Sequence, residues 1–142
     1  MLADLLKTLL GTQAAYYVKA HGFHWNVETP DFYQYHKFFQ KIYEDAYSAI
    51  DPIAEYIRSL DEYAPGSLDR FLELSIISGQ TKVPRARLMI EELLANSSAI
   101  INRARGTLVC PEITLSSKKR SRLPGAYSSR LLMYSAMGSM AS

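Results

Sequence analysis

From Ala3 to about Arg103 the apolar positions of this chain recur at helical rather than strand spacing. They fall first at Leu5, Leu6, Leu9, Leu10, Tyr17, Val18 and His21, with no proline to interrupt a helix from Ala3 to about His24. Thr29-Pro30-Asp31 then has the form of a helix start: a hydroxyl N-cap, proline at the first helical position and an acid in the first turn. A second helix is expected from about Pro30 to Leu60, striped by Phe32, Phe39, Ile42, Tyr43, Ala46, Ile50, Ile53, Ile57 and Leu60. Pro52 falls inside it, removes one backbone donor and predicts a kink. Tyr63 to Lys82 reads as a long connection opened by Pro65-Gly66, with a short helix at Leu68, Phe71, Leu72 and Leu74. A third long helix is expected from Pro84 to about Arg103, burying Ala86, Met89, Ile90, Leu93, Leu94, Ile100 and Ile101.

Two long helices, a long crossover carrying a short helix and another long helix are the skeleton of an all-α, ferritin-like four-helix bundle. The fourth helix is expected to be atypical or truncated. Beyond Arg105 come Gly106, Pro111, Pro124, Gly125 and Gly138 among many serines, and only Ala126 to Met137 could make a modest helix. The chain therefore divides into a helical domain, 1–105, and a basic, irregular tail, 106–142.

Charge follows the same division. Residues 1–102 carry nine Lys/Arg against thirteen Asp/Glu, a balance of −4, and residues 103–142 carry seven against one, a balance of +6. At 142 residues, 48% of them apolar, the chain is long enough for one domain with a core of its own. No apolar run has membrane-spanning length, and no signal-peptide pattern opens the chain. The single cysteine, Cys110, can form no internal disulfide, which fits a reducing cytoplasm.

The candidate chemistry lies in His24, His36, Asp51 and Glu55. Asp51 and Glu55 are four apart, so on a helix they share one face and can hold one cation. His36 precedes Asp51 by fifteen residues, and a rise of ~1.5 Å per residue would separate them by about 22 Å on one straight helix. A metal held by all four therefore needs the carboxylates of one subunit and the histidines of another. An acid pair at this spacing is usually a solvated face, and a lone histidine is usually a hydrogen-bonded core residue. Here Ile50, Ile53, Ala54 and Ile57 surround the acids, and the combination of four metal-competent side chains strengthens the metal reading. A di-iron centre inside one bundle is excluded, because none of His21, His24 and His36 lies three residues after a glutamate.

His24-Trp25-Asn26-Val27, Phe32, His36, Tyr43 and Asp51-Pro52-Ile53-Ala54-Glu55 resemble the Dps-like mini-ferritins (DNA protection during starvation). The likeness continues through Pro65-Gly66-Ser67 and Phe71, covering about residues 1–102. The resemblance implies hollow dodecamers of four-helix subunits that oxidise Fe(II), preferably with hydrogen peroxide, and store the ferric product. It implies iron ligands His24 and His36 from one subunit and Asp51 and Glu55 from its partner. Trp25 matches the family's tryptophan beside the site, which intercepts oxidising equivalents; interface packing is the competing reading. Three departures stand out. Gln40 occupies a position where the family often has an aspartate, which implies a weak second iron site. The tail does not resemble the family's last helix, and Met1-Leu2-Ala3-Asp4 supplies no lysine-rich arm for DNA.

The alternative reading is a non-enzymatic helical protein that keeps the fold without iron turnover and binds DNA or protein through residues 103–142. That tail suits non-specific phosphate contact, although a charge run is more often a solvated face.

Overall fold

The computed structural model describes residues 2–108, and its first helix organises the rest. Helix α1, Leu2–Asn26, packs against each of the four helical segments that follow: α2, Phe32–Ser48; α3, Ile50–Ser59; α4, Leu68–Leu74; and α5, Ala86–Leu108. No strand occurs among the described residues. The expected fourth helix at Ala126 to Met137 and Cys110 lie outside them.

The expected second helix is two. Ala49 lies between them in right-handed helical geometry and caps both, its N–H bonding back to the Ala46 carbonyl at 3.3 Å. Pro52 is then the third residue of α3, inside the first turn, where backbone donors have no intrahelical partner and a missing N–H costs little. The proline thus interrupts one helix and is accommodated at the start of the next. Gln13 of α1 reaches across to the break, donating from Nε2 to the Ala46 carbonyl at 3.0 Å.

The core is built from Leu6, Leu10 and Phe23 of α1, Phe39 of α2, Ile57 of α3 and Met89 and Leu93 of α5. Full burial of such side chains contributes roughly 1.5–3 kcal/mol each. Val18 and Leu94, expected on buried stripes, are instead exposed. Three polar side chains of α1 are buried as well, and each is satisfied. Besides Gln13, Thr12 Oγ1 donates to the Thr8 carbonyl (2.7 Å) and accepts from the Ile76 amide (3.2 Å). Lys19 Nζ meets Glu92 Oε1 of α5 at 2.6 Å.

The crossover helix α4 opens on Ser67, whose hydroxyl accepts from the Arg70 amide as an N-cap. It lies so close to α1 that a Cβ on Gly11 would meet the Phe71 carbonyl oxygen at 2.7 Å and Leu74 Cβ at 2.8 Å. Helix α5 extends to Leu108, some residues beyond the expected end near Arg103. Its pairing with α1 is polar as well as apolar: the Tyr16 hydroxyl and Ser97 Oγ are 2.7 Å apart.

Candidate metal centre

His24, near the C-terminal end of α1, and His36, in the first turns of α2, are brought face to face by the short connection between the helices. Their rings stack with centroids 3.7 Å apart and planes 25° from parallel. His24 Nδ1 contacts the His36 carbonyl at 2.9 Å, and His36 Nδ1 contacts the His24 carbonyl at 3.0 Å. A carbonyl oxygen only accepts, so both Nδ1 atoms carry the proton. In the neutral imidazole the lone pair is then on Nε2 in each ring. A hydrogen bond that fixes the tautomer and holds the ring is the usual support of a metal-binding histidine. Two backbone carbonyls supply it here without any further side chain.

The carboxylates are arranged differently. Asp51 stands in the first turn of α3 and Glu55 one turn later, both exposed. Alternate apolar positions of this helix, Ile53 and Ile57, are buried, which turns the acids outward. Within one protomer the two pairs do not meet: among the described residues no group of three or more His, Cys, Asp or Glu could hold a metal ion. Gln40, one turn after His36, is engaged at the surface. Its carbonyl oxygen, its only metal-competent atom, accepts from Lys37 Nζ at 3.0 Å, and its Nε2 donates to Glu44 at 2.8 Å.

Trp25 is 65% exposed beside this site. It lies 4.2 Å from the ring of His21, which in turn stacks on Tyr43 at 3.9 Å, while Tyr43 stands edge-on to His24 at 5.1 Å. Desolvation, and then the neighbouring His24, hold the His21 imidazole below its usual range. Sequence reasoning placed Tyr17 and His21 only on the first helix's apolar stripe and not beside the site, although Tyr17, His21 and Trp25 recur every four residues and so share a helix face.

The sequence profile of the ferritin-like domain matches residues 3–108, three quarters of the chain. The chain belongs to the ferritin-like family, as a Dps-like mini-ferritin. Its fold superposes on the Dps protein of Vibrio cholerae O1, described as one of the ferritin-like diiron-carboxylate proteins. That match has a TM-score of 0.76 and 26% identity, and covers 96% of this chain and 87% of the other. A Dps of Bacillus brevis gives a TM-score of 0.77 at 24% identity, over 96% and 93% of the two chains. In sequence, this mini-ferritin is 32% identical over 94 residues to a DNA protection during starvation protein of Brevibacillus brevis, covering 66% of this chain. It is 28% identical over 107 residues to an uncharacterised Haemophilus influenzae protein, covering 75%. The matches span 63% and 67% of those relatives' own lengths. No helix among the described residues is long and apolar enough to cross a membrane.

Proposed function

We propose that this mini-ferritin is a ferroxidase whose iron site is shared between two subunits, with His24 and His36 from one and Asp51 and Glu55 from the other. The observation that carries the reading is the histidine pair itself, two imidazoles locked in the tautomer that leaves Nε2 for a metal. The exposed carboxylates supply the complementary half from a second copy. Imidazole and carboxylate suit Fe(II), and two negative charges offset the charge gained on oxidation to Fe(III).

A two-fold partner also has a surface to cover. Beside the site is a groove of about 510 Å³ between α1, α4 and the crossover, lined in part by Val18, Trp25, Leu68, Leu72 and Val83. These five side chains are exposed in the single protomer. Isologous pairing of this face would seal it.

In this reading Fe(II) is the substrate and hydrogen peroxide the oxidant. Ferric product is stored, as the resemblance to dodecameric relatives implies, which removes both reagents of hydroxyl-radical formation from the reducing cytoplasm and so protects DNA. The test follows Fe(II) oxidation optically after peroxide addition. The wild-type chain is expected to oxidise iron far faster than buffer, and Asp51→Ala to lower that rate to the buffer level. An unchanged rate in Asp51→Ala would remove the carboxylate from the site.

A further inference from the structure

Between α4 and α5 the crossover runs as a strap with little apolar anchorage. Every side chain from Ser78 to Arg85 is exposed or half-buried, between the buried Ile77 and Ala86. Gln80 ties the strap to the helices. Its Nε2 donates to Glu92 Oε2 of α5 at 2.7 Å, and its Oε1 accepts from the Lys82 amide at 3.2 Å. The other oxygen of the same carboxylate, Glu92 Oε1, is held at 2.6 Å by Lys19 Nζ of α1. The Lys19 side chain is buried, with 1% of its surface exposed. One carboxylate therefore joins α1, α5 and the strap.

A buried ion pair is usually no more than a structural feature, and well-packed apolar side chains often serve stability as well. This pair differs in where its second oxygen goes. Strap residues Gln80, Lys82 and Val83 line the groove beside Trp25, together with Val18 and Lys19 of α1. Glu92 thus holds two walls of that groove in register. An apolar pair in place of Lys19 and Glu92 could fill the core, but it would leave the Gln80 amide without an acceptor.

We propose that Lys19, Glu92 and Gln80 form a latch that fixes the strap as a preformed wall of the groove, in the shape against which a second copy of the chain docks. A second copy is the occupant because the proposed iron ligands of one protomer do not meet. The three are positioning residues, acting on the iron site only through the strap and the pairing it supports. With the latch closed, the strap is already ordered when two copies meet. With the latch open, it must be ordered on pairing, which weakens the contact. The proposal rests on the shared-site reading.

The experiment compares the full wild-type chain with Gln80→Ala and with Lys19→Met/Glu92→Leu. Gln80 itself faces the groove, so the second variant leaves it in place and removes only its acceptor. Trypsin cleavage after Lys82 reads opening of the strap, and cleavage after Lys41, in the middle of α2, reads general unfolding. Native mass spectrometry of mixed light and heavy-isotope chains reads subunit exchange. Both variants are expected to be cut after Lys82 about tenfold faster, to keep the wild-type rate after Lys41 and to exchange subunits about tenfold faster. Arg87→Ala is the control, since it removes an exposed ion pair with Glu91 outside the groove, and should behave as the wild type. Wild-type cleavage after Lys82 in both variants would overturn the latch, as would faster cleavage with unchanged exchange or an equal effect of Arg87→Ala. Faster cleavage after Lys41 as well would reduce the pair to a structural role and overturn it too. A wild type that stays monomeric would overturn the latch and the shared site together. Pairing without peroxide-driven iron oxidation would overturn the ferroxidase reading alone.

Discussion

Burial and pairing decide what single side chains can do here, and Tyr16 shows it as plainly as the histidines. Burial raises the Tyr16 phenol above its ordinary value of 10.0, against the smaller lowering by its hydrogen bond to Ser97. A raised folded value means the folded state holds the proton more tightly than the unfolded one. The contribution is therefore intact below pH 10 and is lost as pH rises above it. Urea midpoints are expected to fall above pH 10, and Tyr16→Phe to flatten that fall. The variant should lose ~1 kcal/mol at neutral pH, where Ser97 is left without its partner. An identical alkaline slope in both proteins would contradict the assignment. The proposed ligands His24, His36, Asp51 and Glu55 were chosen from the sequence by type and spacing. The reciprocal bonds to backbone carbonyls were not legible there, because no pattern of side chains records what a carbonyl does. The buried Gln13, Thr12 and Lys19 were hidden for a related reason: each is buried only because a partner on another element satisfies it.

Among the elements, the long helices and the crossover helix follow from the apolar period, and the kink from Pro52. The one-residue interruption at Ala49 falls just ahead of that proline, and there the Ala46 carbonyl is shared between the turn and the Gln13 amide. The α1–α4 contact was silent in the sequence, where Gly11 looks like a weak point of a helix. Propensity alone favours Gly11→Ala by up to about 1 kcal/mol. The Phe71 carbonyl at 2.7 Å is backbone and cannot swing aside, and overpacking of this kind costs ~1–3 kcal/mol. The contact should win. Gly11→Ala is expected to be less stable than the wild type by a urea titration, with the crossover displaced. A more stable variant would show that α4 yields freely.

At the scale of the whole molecule, the central claim concerns two chains. The two proposed halves of the site do not meet within one protomer: stacked histidines where α1 meets α2, and exposed carboxylates on α3. Residues 109–142, with the expected fourth helix, lie outside the described residues, so the claim stands on α1 to α3 alone. The most direct test uses two inactive variants, His24→Ala/His36→Ala and Asp51→Ala/Glu55→Ala, unfolded and refolded as a mixture. In a mixed two-fold pair, one site receives both intact halves and the other receives neither. Random pairing of equal amounts makes half the pairs mixed, so a shared site predicts recovery of about a quarter of wild-type iron oxidation. Each variant refolded alone should recover none. No recovery in the mixture, with mixed pairs shown to form, would contradict a site shared between subunits.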